Sequence, residues 1–141
     1  MRLLIAEDDL TSRNCLKSIM SLHNVCDTAI NDREILAAFQ VAWNQKMPYE
    51  LIFINIHSQD LNGRQVIRQI RELEKDLNVS RNEQVKFILV AALHDPKCVF
   101  DVLNESHLNS YIIKPITVDK VFREMKSLGF LCNDSDLKFF N

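Results

Sequence analysis

The sequence predicts an α/β protein: a doubly wound parallel sheet built from five consecutive βα units. Three observations carry this. Short apolar runs alternate with longer amphipathic runs along the chain, which is how βαβ units appear in a sequence. The inner apolar runs are continuous rather than alternating, as expected of parallel strands covered on both faces. The length, 141 residues with 47% apolar and 26% charged, suits one domain that buries a core. Right-handed crossovers then put helices on both faces. Any site is expected beyond the C-terminal ends of the strands.

The elements follow in order. Leu3 to Ala6 is a short buried strand that runs into the acidic cluster Glu7-Asp8-Asp9. Thr11 or Ser12 is the expected cap of a helix with Leu16, Ile19, Met20 and Cys15 as its apolar positions. Val25 to Ile30 reads as the second strand. Asn31 with Glu34 resembles a capping box, and the helix after it carries Ile35, Leu36, Phe39 and Trp43 on one stripe. Leu51 to Asn55 is the third and most continuous strand. Beyond Gly63 a helical stripe is formed by Val66, Ile67, Ile70, Leu73 and Leu77. Val85 to Ala92 is the fourth strand. Asp95-Pro96 starts a fourth helix with Val99, Val102 and Leu103 inward. Ser110 to Ile113 is the fifth strand, stopped by Lys114-Pro115. Thr117 caps a fifth helix carrying Val121, Phe122, Met125 and Leu128, which ends at Gly129. The division is a domain over 1–128 and a C-terminal tail over 129–141.

Composition excludes several functions. A net charge of −2 gives no electrostatic footprint for nucleic acid. No apolar run approaches membrane-spanning length. Only two glycines, Gly63 and Gly129, are present, so no Walker loop, Rossmann fingerprint or kinase phosphate loop exists. Cys15, Cys26, Cys98 and Cys132 form no C-x-x-C pair, and His23 with Cys26 has no second pair to complete a zinc site. Reduced thiols in a cytoplasmic protein are the expectation. Arg64, Arg68 and Arg71 interleave with acids and read as a solvated helix face.

The strand ends gather the candidate site. The first strand delivers Glu7, Asp8 and Asp9, the third Asn55, the fourth Ala91 and Ala92, and the fifth Lys114 with Pro115. Leu-Ile-Ala-Glu-Asp-Asp, Tyr-Glu-Leu-Ile-Phe-Ile-Asn-Ile, Asn-Gly after the third strand and Tyr-Ile-Ile-Lys-Pro-Ile fall in the order and spacing of one family. In these motifs, over residues 1 to 128, the chain resembles a response-regulator receiver domain of the CheY-like kind. The resemblance implies a flavodoxin-like three-layer sandwich with strand order 2-1-3-4-5. It also implies a phosphorylation switch. A carboxylate ending the third strand takes a phosphoryl group from a histidine kinase, and the acidic pair holds Mg²⁺. A fourth-strand Thr or Ser binds the phosphoryl oxygens, the lysine offsets charge, and a fifth-strand aromatic changes rotamer.

The sequence departs from that pattern at two places that serve one reaction. The phosphoacceptor position is Asn55, and a carboxamide is neither the nucleophile nor the charged metal ligand that the chemistry needs. The hydroxyl position is Ala91. Glu7, Asp8, Gly63, Lys114, Pro115 and the switch aromatic Tyr111 are retained. The expectation is a degenerate receiver, a pseudo-receiver that is not an enzyme. Asn55 is expected to donate to Asp8, and Lys114 to pair with Asp8 or Glu7, as a structural knot without metal. The competing reading is a weakened Mg²⁺ site on Asp8, Asn55 and the His57 backbone carbonyl.

The acidic cluster also fits a simple helix start stabilised by the helix dipole, and Tyr111 fits a plain strand aromatic.

As a function, this predicts a stand-alone receiver-type signalling module that binds proteins independently of phosphorylation. Expected partners are a histidine kinase, another receiver or a signalling complex, met through the fourth helix–fifth strand–fifth helix face, with homodimerisation left open. The alternative is a phospho-switch with Ser58, His57 or Asp60 as substitute acceptor. A flavodoxin-type small-molecule binder is disfavoured because no glycine lies near the first strand. The apolar tail, ending Phe139-Phe140, is expected to pack on the domain or to serve as a docking segment.

Overall fold

The computed structural model of the chain describes residues 1–55, 62–92 and 110–130. A parallel sheet is assembled from β1 (Arg2–Ala6), β2 (Val25–Ala29), β3 (Leu51–Asn55), β4 (Lys86–Ala91) and β5 (Ser110–Ile113). Its order is β2-β1-β3-β4-β5, as expected for this fold. The described helices are α1 (Leu10–Met20), α2 (Asp32–Asn44), α3 (Gly63–Asp76) and α4 (Val118–Ser127), with a short 3₁₀ turn at Arg81–Glu83. Here α4 is the fifth helix of the sequence reading. The helix expected after Asp95 lies outside the described residues, as do His57, Ser58, Asp60 and the tail beyond Phe130.

Alternation along the strands divides the core into two layers. Leu4, Ala6, Ile52, Ile54, Phe87 and Leu89 face α2 and α3, where Ile35, Phe39, Val66 and Ile70 meet them. Leu3, Ile5, Leu51, Phe53, Ile88 and Val90 face α1 and α4, against Leu16, Met20, Val121 and Phe122. β3 is buried at all five positions, which explains its unbroken apolar run. β2 is an edge strand, and only Ala29 in it is fully buried.

The helix starts correct one expectation. Asp9, not Thr11 or Ser12, caps α1: its carboxylate accepts from Ser12 N–H at 2.9 Å and from Ser12 Oγ at 2.7 Å. The acid one turn earlier outcompetes the hydroxyls because a charged acceptor holds two donors at once. Asn31 and Thr117 cap α2 and α4 as expected.

The helix ends share one device. After α2, α3 and α4 a residue in the left-handed region follows the cap: Lys46, Asn78 and Gly129. The next residue donates back to the last full turn, as Met47 N–H to Ala42, Val79 N–H to Glu74 and Phe130 N–H to Met125, each at 3.0 Å.

Two apolar expectations fail. Leu77 is half exposed, because α3 has ended and turned away by that residue. The inward place one turn earlier is taken by Glu74, an acid only 1% exposed. It accepts Val85 N–H at 2.7 Å and pairs with Arg71 at 2.6 Å, and Arg71 in turn lies over the Phe87 ring. Ile30, expected to end β2, lies outside the strand and is exposed.

Candidate functional site

β1, β3 and β5 deliver three polar groups to one face of the sheet. Glu7, Asn55 and Lys114 each continue the strand phase of residues that face α1 and α4, namely Ile5, Phe53 and Ile112. Phase therefore explains why they meet. Asn55 Nδ2–H donates to Glu7 Oε1 at 2.8 Å. Asp9 N–H donates to the same oxygen at 3.1 Å. Lys114 Nζ stands 3.5 Å from Glu7 Oε2, an ion pair with no hydrogen bond closing it.

The carboxylate is therefore the hub of the site, and it is deeply enclosed: Glu7 is 1% and Asn55 6% exposed. Burial pushes the Glu7 carboxyl above its ordinary value. The Asp9 N–H, the Asn55 amide and the Lys114 charge pull it partly back. Lys114 is the more open partner, with its side chain 26% exposed.

Backbone contacts fix these positions. Lys114 N–H donates to Ala91 C=O at 2.8 Å, tying β5 to the end of β4, and the Lys114-Pro115 peptide is cis. Lys120 Nζ reaches back to Ile113 C=O at 2.9 Å and Pro115 C=O at 3.0 Å. Arg13 donates to Glu7 C=O at 3.1 Å and thereby clamps the turn between β1 and α1. Neither Arg13 nor Lys120 is singled out by the sequence reading. Both sit in the first helical turns after a capping residue, so a cation that soon after a cap is the signal that would find them.

The structure changes one expected partner and selects between two others. The Asn55 amide donates to Glu7 rather than Asp8, because Glu7 shares its face of the sheet and Asp8 does not share that strand phase. Of the two acids offered to Lys114, Glu7 is the one it meets. Ala91 is 1% exposed, but its methyl belongs to the core layer on the α2–α3 side. It reaches the site through its carbonyl. Tyr111 is 42% exposed on β5. His57, Ser58 and Asp60, invoked as a metal ligand or substitute acceptors, lie outside the described residues.

Among the described residues the groups that meet Glu7 are N–H donors and a lysine rather than oxygen ligands. Hard cations are held by several anionic or neutral oxygens. Here Asn55 turns its N–H toward the acid, and the acid already faces a lysine. Among the described residues no three acidic, histidine or cysteine side chains gather as a metal site.

No family model matches the sequence, and no curated protein matches it. Solved structures do. A response regulator receiver domain protein from Clostridium thermocellum aligns with a TM-score of 0.72 at 17% identity, over 91% of this chain and 94% of its own. A CheY-like receiver domain protein from Methanospirillum hungatei gives 0.70 at 20% identity, over 97% and 96%. The response regulator TrrA from Thermotoga maritima, solved with Mg²⁺ and BeF, gives 0.67 at 24% identity, over 90% and 97%. Strand order, site position and these likenesses agree that the chain has the CheY-like, flavodoxin-like fold of response-regulator receiver domains.

Proposed function

We propose that this chain is a receiver-type signalling module whose phosphorylation chemistry has been replaced by a fixed hydrogen-bond knot. It acts by binding other proteins, not by catalysis. The observation that carries the reading is the 2.8 Å bond from the Asn55 amide to Glu7. An acyl phosphate needs a carboxylate oxygen to attack phosphorus, and Asn55 presents an amide that is already committed to an acid. The knot meets one oxygen of a buried carboxylate with two N–H donors and sets a lysine cation 3.5 Å from the other, and the reading calls on no metal.

A module locked in this way offers one surface at all times. The face carrying β5 and α4, where Tyr111 stands exposed, is the surface proposed for a histidine kinase, another receiver or a signalling complex. The same face is the proposed contact if the chain forms a homodimer.

The test is intact-mass spectrometry after incubation with Mg²⁺ and acetyl phosphate. The natural chain is run beside Asn55→Asp and the Asn55→Asp, Ala91→Thr double variant. The expected result is a phosphoryl mass on the variants alone. A phosphoryl mass on the natural chain, mapped to any residue, refutes the reading.

A further inference from the structure

At the opposite end of the sheet from the knot, the N-terminal ends of β1, β2 and β4 surround a groove of about 680 Å³. Its walls include Val25, Trp43, Met47, Pro48, Tyr49 and Phe130. Val25 and Met47 are 52% and 53% exposed, a large apolar exposure for neighbours in one depression. The indole Nε1–H of Trp43 is buried, and no described group accepts from it. Such a donor is normally paired. A groove with exposed apolar walls and one unmet donor calls for an occupant with apolar side chains and a carbonyl or carboxylate.

We infer that the occupant is this chain's own segment 131–141. Continuity is the first argument. The Phe130 N–H bond to Met125 fixes the direction in which the chain leaves α4, and Phe130 already forms part of the groove wall. Lys86 holds it there, with Nζ on Leu128 C=O and 5.2 Å from the Phe130 ring centroid. The chain is thus delivered to the mouth of the groove. Composition is the second argument. The segment carries Leu131, Leu137, Phe139 and Phe140 as apolar anchors. Asp134 and Asp136 offer acceptors to the indole and charge to Lys86. Glu50 and Glu83 also line the groove, so charge alone does not select the occupant; continuity and apolar content do. Reach is the third. Extended chain covers about 3.3 to 3.6 Å per residue, so the segment 131–141 can reach about 36 to 40 Å from Phe130, which is itself at the groove wall.

Trp43 is the chain's single tryptophan, so its fluorescence reports on this groove alone. The full-length Leu137→Ser, Phe139→Ser, Phe140→Ser variant is compared with the natural chain. Expected are emission at longer wavelength and stronger quenching by acrylamide, with unchanged far-ultraviolet circular dichroism. A synthetic 131–141 peptide added to the variant should reverse both. Independently, Met47→Asp should speed alkylation of Cys132, followed by peptide mapping. Unchanged Trp43 emission and quenching in the triple variant, with unchanged Cys132 alkylation in Met47→Asp, overturns the inference. A signal that varies with protein concentration overturns the intrachain form and assigns the groove to the segment of a second copy.

Discussion

Replacing Asn55 by Asp restores the residue that phosphoryl chemistry needs, yet it should first harm the protein. The substitution removes a hydrogen bond to a charged acceptor, a loss of about 1.5 to 3 kcal/mol. It also sets a second carboxylate where the amide now stands, 2.8 Å from Glu7 Oε1. Two unit charges at that 2.8 Å separation repel by about 6 kcal/mol at an effective dielectric of about 20. Protonation limits the penalty. Holding a proton on an ordinary Asp costs about 5 kcal/mol at about pH 7.5 and about 2 kcal/mol at about pH 5.5. With Lys114 offsetting part of the charge, the expected net loss at about pH 7.5 is about 3 to 5 kcal/mol, or about 10 to 20 °C in Tm. Thermal unfolding of both chains, with and without millimolar Mg²⁺ and at both pH values, reads this directly. The gap should narrow as pH falls, because the shared proton becomes cheap. Mg²⁺ should recover part of it by bridging the two carboxylates, and should leave the natural chain's Tm unchanged. An Asn55→Asp chain as stable as its parent at about pH 7.5 without metal would refute the electrostatic argument. A natural chain that Mg²⁺ stabilises equally would refute the account of the donor set.

Three further outcomes follow from the same contacts. Glu7 has a folded pKa above its ordinary 4.5, so its contribution to stability is full below that value and is lost as pH rises through the raised one; the stability of the parent minus that of Glu7→Gln should fall over that window, and a flat difference would contradict the assignment. Removing the α1 cap with Asp9→Ala should cost about 0.5 to 2 kcal/mol in urea unfolding. Glu74→Ala should cost about 1 to 3 kcal/mol, since it leaves the buried Val85 N–H without its acceptor and removes the carboxylate that pairs with Arg71; a loss below about 0.5 kcal/mol would mean that the contact is not structural.

Much of the fold was legible because it is written in periods. The five strands appear where the sequence predicts them, the inner ones on continuous apolar runs, and Leu51–Asn55 and Ser110–Ile113 agree to the residue. Asn31, Thr117 and Gly129 also announce their helix boundaries through side-chain chemistry. Glu74 could not be foreseen in the same way. A buried acid on an apolar stripe looks like a break in the pattern until the Val85 N–H and the Arg71 guanidinium that satisfy it are in place. β1 begins one residue early for a similar reason: Arg2 pairs with Val25 across the sheet, and its guanidinium is held by Asp27. At the site the residues were readable from position, but their partners were not. Motif spacing points Asn55 to Asp8 and offers both Asp8 and Glu7 to Lys114, and the pleat of β1 and β3 turns Asn55 to Glu7 instead.

The knot has a consequence for the order in which the chain is made. Its acid is residue 7, its amide residue 55 and its cation residue 114. At about 5 to 20 residues per second, a ribosome adds the lysine about 5 to 20 seconds after the acid. Through that interval no sheet can close around Glu7 with its counter-charge present, and the carboxylate stays hydrated at ordinary acidity. β1 has one neighbour, β2, available early, but its other edge waits for β3. The nascent N-terminal half is therefore an open sheet edge beside a solvated acid, and the burial of Glu7 and its neutralisation arrive together, late, when β5 docks.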